Sequence, residues 1–168
     1  MEQLWSPWRM AYLRQEGSSG SSLGCIFCDK PAESRDPENL IVHRGQQAFV
    51  ILNRYPYNNG HMLVVPYQHA PTLEALDPPT LTEIMLLANQ ALAALRGMYG
   101  AQAFNLGINI GAAAGAGIAA HVHLHVVPRW PGDTNFLSTL AQTRVIPEDL
   151  QETYRLAVAH WPKSKDEG

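Results

Sequence analysis

Between positions 121 and 128 the chain reads His-Val-His-Leu-His-Val-Val-Pro. Strict alternation of aliphatic and polar residues over this length predicts an extended strand with two unlike faces. Successive side chains of a strand point to opposite sides, so Val122, Leu124 and Val126 share one face and His121, His123 and His125 the other, with Pro128 closing the run. A core accounts for the aliphatic face. It has no use for three imidazoles in register, so that face points to chemistry near neutral pH. At about 3.3 Å per residue, His121 and His125 stand roughly 13 Å apart along such a strand. That is too far for all three to ligate one ion through bonds of about 2.0 Å. One or two have room to bind metal, which leaves at least one for acid–base or nucleophilic work.

The 168 residues suffice for one compact domain with a real core. Hydrophobic content of 46% and charged content of 16% are those of a soluble globular protein. A net charge of −3 gives no basic field for bulk nucleic-acid binding. The N-terminal stretch has no continuous apolar run of the signal-peptide kind, and no segment approaches the roughly 20 apolar residues of a membrane span. A cytoplasmic address is the resulting expectation. In a reducing compartment the pair in Cys25-Ile26-Phe27-Cys28 points to metal binding or redox activity rather than to a structural disulfide, with two free thiols as the bland alternative.

Taken in order, Ser6-Pro7 opens a short predicted helix within an N-terminal arm, 1–24, and the Gly/Ser run at 17–22 reads as a flexible loop. Residues 40–43, 46–53 and 62–65 read as strands of an antiparallel meander, the second one central, with a dense turn signal at 55–60 and Pro66 as a stop. Asp77-Pro78-Pro79 caps a long helix. Its core stripe is Leu81, Ile84, Met85, Ala88, Leu92 and Leu95, and Gly97 and Gly100 end it. A strand at 104–110, a loop of small residues at 111–117 and a C-terminal helix at 148–160 complete the order, and the tail beyond is expected to be disordered. Small residues let backbone N–H groups approach phosphate oxygens, which makes Gly115 and Gly117 candidates for a phosphate cradle beside the histidines.

The motif His-φ-His-φ-His-φ-φ at 121–127, Asn53 followed by Gly60-His61-Met62-Leu63-Val64-Val65-Pro66, and both flanks (Leu4-Trp5-Ser6-Pro7-Trp8-Arg9-Met10 and 127–136) resemble the histidine triad, or HIT, family of nucleotide hydrolases and transferases. The flanks are most similar to its bacterial branch related to diadenosine tetraphosphate phosphorylases. The resemblance implies an α+β, HIT-like fold: an antiparallel sheet of about five strands with a long helix and a C-terminal helix, forming one domain over 1–160 and a homodimer. It implies that His123 attacks the α-phosphorus to form a nucleotidyl-histidine. His125 then donates to phosphate and leaving group, and His121 completes the catalytic set. Asn53 is the implied ribose ligand, with a turn role as its plain alternative, and Asn109 and His61 are further substrate contacts. Ile26 and Phe27 would sandwich the base. Structural zinc would take Cys25, Cys28, His69 and His121. The family's usual Gln and Ser/Thr are missing from 115–120, which leaves backbone alone and room for a second anion, inorganic phosphate. The expected activity is therefore cleavage of dinucleoside polyphosphates by phosphorolysis or hydrolysis, against the alternative of a nucleotide-binding sensor with little catalysis.

Overall fold

A computed structural model describes residues 24–133 and 148–163. Five strands, β1 (Ile41–Arg44), β2 (Ala48–Leu52), β3 (Met62–Pro66), β4 (Ala103–Ile108) and β5 (Leu124–Arg129), form one antiparallel sheet in the order β1-β2-β3-β5-β4. The first three are the expected meander. Every residue of β2 and of β3 is buried, the mark of strands covered on both faces, and this is why they read as unbroken apolar runs.

The long helix, α3 (Pro78–Tyr99), lies against β2, β3 and β5. Asp77 caps it by accepting from the Thr80 N–H at 2.8 Å, and Gly100 ends it in the left-handed conformation at φ 58°. Two expectations about this helix need correction. Gly97 lies inside it; a Cβ there would meet His160 at 3.2 Å, so the glycine serves close approach to the C-terminal helix rather than a stop. Met85 is 57% exposed, because the buried face runs through Ile84, Leu87, Ala88, Ala91, Ala94 and Leu95. The C-terminal helix, α4 (Leu150–Ala159), is capped by Asp149 and packs on β1 and α3. Two short helices precede β1 and were not read from the sequence: α1 (Ile26–Ala32), which tolerates Pro31, and α2 (Asp36–Asn39). The expected helix after Ser6-Pro7, the 17–22 loop and the tail at 164–168 fall outside the described residues.

The histidine run is also corrected at both ends. Regular pairing begins at Leu124, and His121 to His123 precede the strand. Continued register would set Val122 opposite Pro66, which has no N–H to offer. The Pro66 carbonyl instead accepts from the His121 ring, and the Val122 N–H turns to the Ala70 carbonyl at 2.7 Å. Pro128 does not close the strand. It pairs with Phe104 inside β5, and its carbonyl accepts from the Asn58 side chain rather than from β3, whose pairing stops at Val126.

Candidate active site and metal cluster

Register brings the chemistry together. Leu63 of β3 faces His125 of β5, so His61, immediately before β3, lies beside the triad. Gly60 sets this entry: its φ is +74°, and a Cβ there would come within 2.6 Å of Leu95. The Asn53 N–H closes the loop on the His61 carbonyl at 2.9 Å.

Backbone groups fix the protons on His61, His121 and His123, and His61 in turn fixes that on His125. The Tyr57 N–H donates to His61 Nδ1 at 3.0 Å, so His61 must carry its proton on Nε2. That Nε2 lies 3.0 Å from His125 Nδ1, which therefore accepts, and the His125 proton belongs on Nε2. His123 Nδ1 lies 2.8 Å from the His121 carbonyl and must donate, which leaves the lone pair on Nε2. His121 Nε2 donates to the Pro66 carbonyl at 2.9 Å, so its lone pair is on Nδ1. Burial favours the neutral ring of His61, His121 and His123. It pushes His61 down to about 3, with the charges of His125 and His123 adding to the effect. Burial also lowers His123, against the opposing hydrogen bond to the His121 carbonyl, and lowers His121 in the same way. The result is one ring whose Nε2 keeps a lone pair, His123, next to one whose Nε2 carries a hydrogen, His125, their centroids 4.9 Å apart.

Both histidines open onto a cavity of about 280 Å³. Of the substrate residues expected from sequence, Ile26, Phe27, Asn53, Asn109, Gly115 and Gly117 line it. His61 does not; it stands behind His125. The Asn53 side chain is already engaged, accepting from the Tyr55 N–H at 2.9 Å and reaching His61 Nδ1 at 3.2 Å, a turn role that shapes the entry. The small-residue loop uses the N–H groups of Ala114, Gly115 and Ala116 in its own turns, and those of Gly117 and Ile118 are outside that set. Lys30, Arg54, Tyr55 and Tyr57 also line the cavity and were missed. Lys30 was legible in principle, one helical turn after Ile26 and Phe27, had a helix been expected there.

The first histidine of the run serves elsewhere. His121 Nδ1 lies 3.2 Å from Cys25 Sγ and 3.7 Å from Cys28 Sγ, and His69 Nδ1 lies 3.4 Å from Cys28 Sγ. All four ligand atoms fall within 4.8 Å of one another. With metal bonds of about 2.0 Å to nitrogen and 2.3 Å to sulfur, the edges of a tetrahedron are about 3.5 Å, so this set fits one ion. The His121–Pro66 hydrogen bond presents the correct nitrogen to it. Burial raises the Cys28 thiol, and Cys25 beside it raises it further, a disfavoured pair of charges that a cation would relieve.

A HIT domain model matches residues 34–132, which span the sheet, His61 and the triad. The chain belongs to the HIT family. Across 168 aligned positions it is 38% identical to the AP-4-A phosphorylase of Mycobacterium tuberculosis H37Rv, covering 97% of this chain and 86% of that protein. It is 31% identical over 93 residues to the asymmetrical bis(5'-nucleosyl)-tetraphosphatase of Schizosaccharomyces pombe, covering 55% of this chain and 50% of that protein. Among solved structures, a Zn-bound histidine triad protein from Mycobacterium smegmatis superposes with a TM-score of 0.67 at 30% identity, covering 83% of this chain and 94% of that one. The five-stranded antiparallel sheet with one long and one C-terminal helix is thus a HIT fold. Among its described residues no helix is long and apolar enough to cross a membrane.

Proposed function

We propose that this HIT protein cleaves dinucleoside polyphosphates such as diadenosine tetraphosphate at the α-phosphorus, and does so by phosphorolysis. The observation that carries this reading is the chain of backbone-fixed protons that leaves His123 Nε2 with a lone pair and His125 Nε2 with a hydrogen, both at the cavity. His123 Nε2 attacks the α-phosphorus, and the bond from that phosphorus to the bridging oxygen breaks. The His125 Nε2–H protonates the departing oxygen, and a nucleoside triphosphate leaves. An oxygen of inorganic phosphate then attacks the same phosphorus, the nitrogen–phosphorus bond breaks, and a nucleoside diphosphate is released. The phosphate acceptor is supported by the likeness to a phosphorylase. Asn109 and the backbone around Gly117 would hold the phosphate oxygens, Ile26 and Phe27 the base, and Asn53 the ribose edge while it shapes the entry.

Zinc is the metal that the Cys25, Cys28, His69, His121 set suits best. When bound it closes a four-ligand structural site and ties α1 to the triad, so chemistry at phosphorus is left to the imidazoles. The resemblance also implies a homodimer. β4 offers a surface for it, since it lies at the edge of the sheet with Leu106 41% exposed.

The loop at 115–120 lacks the family's side-chain donors, and this favours one rival reading, a nucleotide sensor with little turnover. Product analysis separates the two. With diadenosine tetraphosphate and phosphate, ADP and ATP are expected in equal amounts. AMP and ATP, with or without phosphate, would make the enzyme a hydrolase. Binding without products would make it a sensor.

A further inference from the structure

A tetraphosphate bridge carries several negative charges, and one phosphorus engaged by His123 accounts for only part of them. Among the cavity's lining residues no Asp or Glu appears, and the fixed positive charges are Lys30 and Arg54. They come from different elements: Lys30 from α1, on the face that carries Ile26 and Phe27, and Arg54 from the turn after β2. Neither makes an ion pair or side-chain hydrogen bond with the described residues. Glu33, whose charge partly supports the Lys30 ammonium, is itself engaged by Arg35 at 2.8 Å and by Asn39 at 2.9 Å. Burial holds the Lys30 ammonium below its ordinary range, and the Arg54 charge lowers it further. Two like charges facing one half-buried space, with no ion pair to either among the described residues, is a costly arrangement that an anion relieves. The pair also has complementary means of doing so: a guanidinium grips phosphate with a two-pronged fork, and an ammonium acts as a point charge.

We infer that Lys30 and Arg54 form a phosphate-binding subsite of the cavity, separate from the reacting phosphorus. The inference rests on the nucleotide-cleaving reading above. It names one ligand chemistry with two sources, the distal phosphates of the polyphosphate or the free inorganic phosphate that accepts the nucleotidyl group. The small-residue loop gives it weight, because that loop supplies no charged side chain to compensate.

Steady-state kinetics of the full chain with Lys30→Gln, Arg54→Gln and both together test it, with thermal unfolding confirming that each variant folds. Two substrates are compared, each with inorganic phosphate titrated: diadenosine tetraphosphate, and the p-nitrophenyl ester of AMP, which has a single phosphorus. Each charge removed should cost roughly tenfold in KM for the tetraphosphate, or in KM for inorganic phosphate, while kcat/KM for the ester changes by less than about twofold. A loss confined to the tetraphosphate identifies the distal phosphates as the ligand; one confined to inorganic phosphate identifies the acceptor. Equal losses on the ester would instead mark a contact to base or ribose and overturn the subsite, as would no change in any reaction. If the wild type turns over nothing, the cleavage reading fails on its own. Titration calorimetry with diadenosine tetraphosphate and with inorganic phosphate then decides the subsite, which is overturned if the double variant binds both as the wild type does.

Discussion

At the scale of single residues, the unusual feature is how far backbone groups dictate protonation. The Tyr57 N–H and the His121 and Pro66 carbonyls each claim one ring nitrogen, and the remaining nitrogens acquire their roles by elimination. His61 is the least visible member, buried behind His125, yet it determines which His125 nitrogen is the donor. Its neutral form also has a consequence for stability. Its pKa is about 3 in the fold against an ordinary 6.5, so between these values the unfolded chain holds a proton that the native protein does not. Stability must then rise with pH across that window and be lost as pH falls through it. Replacing His61 with Gln removes this component. The difference in urea unfolding free energy between wild type and His61→Gln should shrink by about 3 kcal/mol from neutrality to about pH 4. A difference that stays constant over that range contradicts the assignment.

Among the elements, the best legible were those whose periodicity and end signals agreed. Asp77-Pro78-Pro79 and Gly100 bracket α3 as expected, and the three apolar runs became β1, β2 and β3. Failures occurred where a local rule met a tertiary contact. Gly97 looked like a helix stop but accommodates His160, and Pro128 looked like a strand stop but found Asn58 for its carbonyl. At the front of β5, alternation correctly grouped His123 with His125 but could not show that Pro66 would release His121 from the sheet to meet the cysteines. Lys30 was hidden because Pro31 argues against the helix whose spacing would have placed it beside Ile26 and Phe27, and Arg54, in the turn after β2, had no signal of its own. A further contact that pattern cannot reveal links α3 to the first hairpin: Glu83 accepts from the N–H groups of Gln46, Gln47 and Ala48. Glu83→Ala should cost about 1–3 kcal/mol in chemical denaturation, since it strips a charged acceptor from three backbone donors. A loss within experimental error would show that water replaces it at no cost.

For the whole molecule, the metal set joins three distant parts of the chain: the start of α1, the segment after β3 and the approach to β5. Binding energy at such a site is folding energy. Chelation should therefore lower the melting temperature of the wild type by several degrees, at about 2–4 °C per kcal/mol. It should leave Cys28→Ser, already deprived of one ligand, nearly unmoved. Equal responses would show that these four residues do not hold the ion. The sheet edge makes a separate prediction. If a second copy pairs along β4, light scattering should report a dimer for the wild type and a monomer for Leu106→Lys; a wild-type monomer removes the homodimer from the account. The proposed reaction depends on neither result. It depends on His123 as the atom that takes the nucleotide. The direct measurement is to mix the protein with diadenosine tetraphosphate in the absence of phosphate, quench within the first turnover in alkali, where a bond from imidazole to phosphorus survives, and map the modified peptide by mass spectrometry. One adenylyl group on His123, absent from His123→Asn, is the predicted result. Turnover with no adduct at position 123, or an adduct that persists in His123→Asn, would contradict it.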